Sequence, residues 1–230
     1  MLRPFLVLWL LNLSTLVVCS QAPSNETDGA GSASASAQPV VIFTLDFPES
    51  EPAHYAIHIP SAGEAHYESI GNTVDSGVPD SFDFGFTISN ETRSRIFALA
   101  AKAGYFETDV DAHRKNIAFT GKKILRYTDA NRTAEAVFNY SSNPAVQELT
   151  TLFQNLSTTL EFGHRLDYDR RYQKLALNDE LKRMQEMGDS RMLAEVKAIQ
   201  PILEKIVADQ SVVNVARARA QRLLKDSEGQ

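Results

Sequence analysis

The sequence is organised around the stretch Thr87-Ile-Ser-Asn-Glu-Thr-Arg-Ser-Arg-Ile-Phe-Ala-Leu-Ala-Ala-Lys-Ala-Gly-Tyr-Phe-Glu-Thr-Asp109. It predicts one capped amphipathic helix from Ser89 to Ala103, because Ser89 or Asn90 can accept hydrogen bonds from the amides of the first turn. Gly104 suits the left-handed residue that ends a helix. Apolar residues recur along one face at Ile96, Phe97, Leu99, Ala100 and Ala103. An isolated helix of this length is marginally stable, so this face has to pack on another element.

The segments on both sides of the helix predict the sheet on which it packs. Apolar and polar residues alternate, as in strands, over residues 40–47, 55–59, 65–70, 82–88 and 134–140. A hairpin is predicted around the Pro-Ser-Ala-Gly turn at 60–63, and pairing of Ile59 with Ala65 would place His58 opposite His66. A second hairpin is predicted from 116–120 to 123–127 through Gly121-Lys122.

The second half of the chain carries helical patterns only. Asn143-Pro144 predicts a capped helix from Asn143 to Glu161. Further helices are predicted from Leu166 to a break near Gly188, from Met192 to Ile206 with a kink at Pro201, and from Ser211 onward. The predicted fold class is therefore α+β, with an antiparallel sheet covered by one or two helices over residues 39–162 and an all-helical region over residues 163–230.

The first 38 residues predict export. Residues 1–20 place one charge, Arg3, before an apolar run that is shorter than a membrane span, which is the layout of a signal peptide. Leu16-Val17-Val18-Cys19 resembles a bacterial lipobox, so lipidation of Cys19 competes with cleavage after Ser20. Residues 21–38 lack large apolar side chains and predict a flexible linker. The mature form is predicted to have no transmembrane span and to reside in the periplasm or cell envelope, or to be secreted.

The composition of the chain argues against nucleic acid as its partner and against a disordered protein. The chain has 230 residues and a formal net charge of −6, which disfavours nucleic acid because that binding requires clustered Lys and Arg. Its hydrophobic content of 43% is too high for a disordered chain. Cys19 is the only cysteine, so the mature chain has no internal disulfide, and a bacterial envelope protein is favoured over a eukaryotic secreted one.

Two family resemblances follow from the order of structural residues. Tyr55-x-Ile57-x-Ile59, Gly63, Tyr67, Ile96-Phe97-Ala98-Leu99 and Tyr105-Phe106 together resemble small α+β domains of unknown function in exported bacterial proteins. Ile199-x-Pro201-Ile202-Leu203 and the segment from Asp209 to Ala220 are similar to one helical pair of a HEAT-type repeat. These resemblances imply a packing style and a protein-binding surface, and neither implies an active site.

Two groups of residues are candidates for metal chemistry. His58, His66 and Glu68, with Glu64 nearby, would form a two-histidine, one-carboxylate site, because opposed strand positions bring side chains within about 5 Å. The competing interpretation is a solvated sheet face. Asp109, Asp111 and His113 alternate in a loop and could bind a hard cation, although the EF-hand pattern is not met and a solvated acidic loop explains them as well.

Other polar residues have structural explanations beside functional ones. A basic surface is one interpretation of Arg114, Lys115, Lys122 and Lys123, and protection of a strand edge is the other. Ser141-Ser142 lacks the glycines that flank a nucleophile elbow and is explained as part of a helix cap. The sequence contains no HExxH, no CxxC, no phosphate-binding glycine loop and no dinucleotide fingerprint.

These observations favour an exported, non-catalytic interaction or scaffold protein of the envelope whose partner is protein, and they predict no cofactor. One alternative is a metal-dependent or other hydrolase that uses the His58, His66 and Glu68 face or the loop from Asp109 to His113. The other alternative is a small-ligand-binding protein with a pocket lined by Phe82, Phe84, Tyr105 or Tyr172. A cleft that gathers the two metal candidates would favour the hydrolase, and histidines on an open sheet would favour the interaction protein.

Overall fold

The computed structural model describes residues 38–72 and 79–228. The predicted signal peptide at 1–20, Cys19 and all but the last residue of the predicted linker at 21–38 lie outside the described residues. Six strands form one antiparallel sheet: β1 (Val40–Asp46), β2 (His54–Pro60), β3 (Ala65–Asn72), β4 (Pro79–Phe86), β5 (Lys122–Thr128) and β6 (Thr133–Phe138). Their order across the sheet is β4-β3-β2-β1-β5-β6.

In the part of the chain that the structure describes, five helices accompany the sheet: α1 (Asn90–Lys102), α2 (Pro144–Tyr172), α3 (Leu177–Asp189), α4 (Gln200–Ala208) and α5 (Asn214–Glu228). Short 3-10 turns span Gly104–Phe106 and Val196–Ile199. The predicted α+β class, with a C-terminal region made of helices, is confirmed. The N-terminal caps are also as predicted, because Ser89 Oγ accepts from the amide of Thr92 and Asn143 Oδ1 accepts from the amide of Ala145.

The hydrophobic core lies between one face of the sheet and helices α1 and α2. Alternate residues of every strand point into it, and Phe43 of β1 stacks on Phe153 of α2 with ring centroids 5.1 Å apart. The opposite face, called here the outer face, carries the residues in between. Among the described residues its side chains keep solvent exposure, with Ala56 as the exception. The outer face of the sheet is therefore open to solvent over the described residues.

The predicted register of the first hairpin is confirmed. Ile57 pairs with Tyr67 and His58 pairs with His66. A shift by one residue would turn Tyr67, which is wholly buried, toward solvent, so burial of the inner face holds this register in place.

The predicted hairpin between residues 116–120 and 123–127 is wrong. The backbone at His113 and Asn116 has positive φ, which interrupts an extended strand, and residues 116–121 run as a loop. β5 pairs instead with β6 across a turn in which Asp129 Oδ1 accepts from the amides of Asn131 and Arg132. The hairpin turn is therefore formed at Asp129, by side-chain hydrogen bonds, and not at Gly121-Lys122 as predicted.

The predicted helix boundaries in the second half are also wrong in three places. α2 does not end at Glu161 but runs through Gly163, across the predicted limit between residues 39–162 and 163–230. The helix predicted from Leu166 to Gly188 is divided by a turn at residues 173–176. Pro201 lies in the first turn of α4, where its missing amide costs nothing, and so it starts a helix and does not kink one.

Candidate functional site

Strands β2, β3 and β4 bring four titratable side chains together on the outer face. These residues, His58, His66, Glu68 and Asp83, are called the outer-face cluster. His58 pairs with His66 across β2 and β3, and Glu68 pairs with Asp83 across β3 and β4. His66 Nε2 lies 3.2 Å from Asp83 Oδ2, and His58 Nε2 lies 3.9 Å from Glu68 Oε1. The cluster is a chain of imidazole and carboxylate groups open to solvent.

Three members of the cluster have the spacing of a metal-ligand set. His66, Glu68 and Asp83 each offer one nitrogen or oxygen atom, and these atoms lie within 4.8 Å of one another. The predicted set of His58, His66 and Glu68 shares two of these members, while Asp83 takes the place that the sequence suggested for His58. The outward position of Asp83 in the alternating run of β4 was the signal that could have found it.

The environment of His58 favours the neutral imidazole. Burial lowers the pKa of His58, and the nearby His66 and Arg126 lower it further, while the carboxylate of Glu68 acts in the opposite direction. A neutral imidazole keeps a lone pair for a hydrogen bond or a metal. The carboxylate of Glu64 lies at Gly85, the cross-strand partner of His66, and it is not one of the groups whose ligand atoms lie within 4.8 Å of one another.

The acidic loop from Asp109 to His113 uses its carboxylates internally. Asp109 Oδ1 accepts from the amide of Asp111, and Asp111 Oδ1 accepts from the amide of His113. His113 Nε2 lies 2.6 Å from Asp109 Oδ2, and this contact raises the pKa of His113 and lowers the pKa of Asp109. Asp111 Oδ2 accepts from the amide of Asn139. The arrangement joins the loop to the end of β6 without requiring a cation.

The two predicted metal regions lie at different parts of the sheet. The loop is attached at the end of β6, while the outer-face cluster lies on β2, β3 and β4. Four strand spacings separate β3 from β6, which corresponds to about 19 Å. The described residues therefore do not gather the two regions in one cleft.

The aromatic residues predicted to line a ligand pocket are also dispersed. The ring of Phe82 stacks on His164 at a centroid distance of 4.2 Å, and Phe82 also stacks on Phe84. Tyr105 packs on Tyr127 near the other edge of the sheet. Two surface grooves of about 640 and 490 Å³ lie among α1, α2, α3 and α5, and none of the four predicted residues lines them.

A buried polar network that sequence reasoning missed joins the sheet to α2. Tyr67 Oη and Ser69 Oγ both donate to Glu161 Oε1 at 2.7 Å, and Tyr67 Oη lies 2.9 Å from Ser157 Oγ. Burial, and then the charge of Glu161, raises the pKa of Tyr67. The network is a polar connection between β3 and α2.

One member of the serine pair at 141–142 contacts Asn143, the residue that caps α2. Ser141 is buried, and its Oγ accepts a hydrogen bond from the amide of Asn143 at 3.2 Å. Asn143 in turn caps α2. This contact orders the chain immediately before the helix and accounts for the burial of the hydroxyl.

The C-terminal end of α2 and the turn after it expose three large side chains. Tyr168, Tyr172 and Leu175, called here the tyrosine patch, are 50%, 70% and 84% exposed. The rings of Tyr168 and Tyr172 pack on each other with centroids 5.0 Å apart. Leu175 follows in the turn that leads to α3. The sequence predicted one continuous helix from Leu166 to near Gly188 over these residues, but the structure divides that helix after Tyr172 and leaves the three side chains exposed.

Comparisons of the chain with protein-family models, with curated proteins and with solved structures find no match. Within residues 38–72 and 79–228, the structure has no helix that is both long enough and apolar enough to cross a membrane.

The predicted basic residues of β5 divide between the two faces of the sheet. Lys122 is exposed on the outer face, whereas Lys123 is buried on the inner face. Lys123 Nζ donates to Thr120 O at 3.0 Å, to Thr120 Oγ1 at 2.9 Å and to Asn139 O at 3.0 Å. Burial lowers the pKa of Lys123. This ammonium group holds the loop before β5 against the end of β6.

Arg114, which was grouped with these lysines, lies over the ring of Tyr140.

Replacement of Lys123 by methionine is expected to lower the free energy of unfolding by about 2 kcal/mol, because it removes the donor to the buried carbonyl oxygen of Gly121 and to the partly buried ones of Thr120 and Asn139. Urea denaturation measures this change. Lys122→Met is the matched control, and its expected change is less than about 0.5 kcal/mol because Lys122 is exposed. Equal stability of the two variants would contradict the structural role of Lys123.

Proposed function

We propose that this chain is an exported, non-catalytic interaction protein of the cell envelope, and that it binds a protein partner through the tyrosine patch. The proposal of export is supported by the signal-peptide pattern of residues 1–20. The proposal of binding is supported by one observation above the others, the exposure of the packed rings of Tyr168 and Tyr172 at the end of α2 and of Leu175 in the turn that follows.

The composition of the patch is that of a protein interface. Isolated exposed apolar residues are ordinary, but adjacent ones mark interaction sites, and tyrosine is enriched among the residues that contribute most to binding. A tyrosine ring buries a large area at a small entropic cost because it has few rotatable bonds. Lys174, in the turn between α2 and α3, donates a hydrogen bond to Ser211. Val213, two residues after Ser211, is also exposed.

The charges around the patch favour a protein over a lipid surface. Arg170 and Arg171 both pair with Asp167, and Lys174 Nζ lies 2.8 Å from Asp209 Oδ2. Binding to an anionic membrane depends on basic groups that are free to approach the headgroups. Here the three cations are each paired with a carboxylate, two of them with the same one, so little positive charge is left for headgroups and the apolar contact has to supply most of the affinity, as it does in protein interfaces.

The rest of the structure supports a non-catalytic role. The two groups of residues that would have served a hydrolase lie about 19 Å apart, as estimated from strand spacing. The histidines of the outer-face cluster stand on an open sheet. The buried hydroxyls of Tyr67 and Ser69 are engaged with Glu161.

Photo-crosslinking in cells of the source organism tests the binding proposal. With p-benzoylphenylalanine at position 168, irradiation is expected to give one discrete protein adduct. Substitution of Tyr172→Ser together with Leu175→Ser in the same chain is expected to lower the adduct yield at least tenfold, because it removes both neighbouring anchors. Thermal unfolding of the double variant should match that of the parent chain, since both side chains are exposed.

Two control chains use Ile70. One carries the crosslinker at position 70, and the other carries the crosslinker at position 168 together with Ile70→Ser. Ile70 is as exposed as Tyr168 but lies on the outer face. A discrete adduct from position 70 and none from position 168 would move the interface to the sheet. Co-sedimentation of the chain with anionic vesicles, lost in the double variant, would identify a lipid surface and overturn the proposal of a protein partner.

A further inference from the structure

We propose that the outer face of strands β3 and β4 binds one divalent transition-metal ion of the zinc type through His66, Glu68 and Asp83, with His58 as the residue that positions Glu68. This inference is independent of the tyrosine patch. It concerns the opposite side of the sheet, and it holds whether or not the patch binds a protein.

The strand geometry presents the three ligands on one rigid surface. His66 and Glu68 are two residues apart on β3 and so point to the same face, and Asp83 of β4 lies directly opposite Glu68. Between His66 and Glu68, Tyr67 is wholly buried and fixes the register of β3. A ligand set on paired strands is held more precisely than one on a loop.

The distances between ligand atoms are near those of an occupied site. Nitrogen and oxygen ligands lie about 2.0–2.2 Å from zinc, so two ligands of a tetrahedral ion are roughly 3.4 Å apart. His66 Nε2 and Asp83 Oδ2 are already 3.2 Å apart, and all three ligand atoms lie within 4.8 Å of one another. Small side-chain rotations, without backbone movement, complete the set.

The charges of the cluster call for a cation. Glu68 and Asp83 are directly opposite each other on adjacent strands, and like charges in that position destabilise a sheet. A divalent ion satisfies both carboxylates at once, and the imidazole ligand favours zinc and its transition-metal neighbours over calcium or magnesium.

His58 completes the arrangement without being a required ligand. Its Nε2 lies 3.9 Å from Glu68 Oε1, and its ring faces that of His66 with centroids 6.1 Å apart. A contact from His58 orients the carboxylate of Glu68 toward the ion, as partners of metal ligands commonly do. The fourth coordination position faces solvent, since the described residues leave this part of the outer face uncovered.

Calorimetric titration of the purified full-length chain with Zn²⁺ tests the site. We expect one ion per chain and an increase in melting temperature in saturating Zn²⁺, because the ion binds only the folded sheet. His66→Ala and Asp83→Asn are each expected to weaken binding at least tenfold, and His58→Ala is expected to weaken it about threefold. The matched control is His54→Ala, which removes another histidine of the same face that pairs with Asp46 and is expected to leave binding unchanged.

Substitution with Co²⁺ separates this site from the thiol of Cys19. Imidazole and carboxylate ligands give weak visible bands, whereas thiolate ligands add an intense charge-transfer band in the near ultraviolet. A spectrum without that band, lost in His66→Ala, supports the proposal. Absence of binding, unchanged affinity in both His66→Ala and Asp83→Asn, or a thiolate spectrum that survives in His66→Ala would each overturn it.

Discussion

Replacement of Phe153 by alanine is expected to lower the free energy of unfolding by about 3–5 kcal/mol. Phe153 lies wholly within the core, and its ring stacks on Phe43 at the contact between β1 and α2. Truncation to alanine loses the transfer free energy of the ring and leaves a cavity that rigid neighbours on a strand and a long helix do not fill. Urea denaturation followed by far-ultraviolet circular dichroism measures the change.

The matched control for this variant is Phe119→Ala. Phe119 also contacts an aromatic ring, that of Phe47, but it lies in the loop before β5 and is mostly exposed. Its truncation is expected to cost less than about 1 kcal/mol. A loss at Phe153 no larger than the loss at Phe119 would show that α2 does not pack on the sheet as described.

Replacement of Gly163 by valine is expected to destabilise the chain by about 3 kcal/mol, at the upper end of the usual cost of overpacking. A Cβ at this position would lie 2.5 Å from Ile199 Cγ2 and 3.2 Å from Ile199 Cβ, closer than packed atoms approach. The helix or the turn at Val196–Ile199 would have to move. Thermal and urea denaturation both report the loss.

Gly188→Ala is the control for the effect of glycine in a helix. Gly188 also lies in a helix, α3, but a Cβ there would be 3.6 Å from Leu193 Cδ1, which is an ordinary contact. This variant is expected to stabilise the chain by about 0.5–1 kcal/mol, since alanine restricts the unfolded chain and favours the helix. A stabilising Gly163→Val variant would mean that α2 and the 196–199 turn are not in close contact.

The two proposals assign different surfaces to different partners. The tyrosine patch lies at the end of α2 and is suited to a protein, while the outer-face cluster lies on β2, β3 and β4 and is suited to a metal ion. Tyr172→Ser with Leu175→Ser is therefore expected to leave Zn²⁺ binding unchanged. His66→Ala should likewise leave the crosslink from position 168 intact, so each proposal can fail without the other.

Prediction from the sequence succeeded where a short-range pattern was coupled to burial. The alternation and the four-residue turn at 60–63 were together sufficient to give the pairing of His58 with His66, since a shift by one residue would turn Ile57 or Tyr67 away from the core. The caps at Ser89 and Asn143 were predicted for a similar reason. A helix needs a side-chain acceptor at its first amides, and few residue types supply one.

The errors arose where a residue's role depends on a distant segment. Gly163 was predicted to begin the second region, yet it lies inside α2. A side chain at this position would collide with Ile199, 36 positions further along the chain, which explains the glycine. Arg93 falls among the charged residues of α1, yet it is buried and donates to the carbonyl oxygens of Pro60 and Gly63. No periodicity within a helix can reveal contacts of this kind.

The candidate sites divide in the same way. The sequence by itself determined where most strands and helices lie and that His58 and His66 point outward, because side-chain direction in strands and helices follows from backbone period. Only the tertiary structure decided that Asp83 stands opposite Glu68, that Lys123 is buried among oxygens, and that Tyr172 and Leu175 remain uncovered. Those outcomes depend on which elements meet in space, and packing between segments far apart in the chain sets that arrangement.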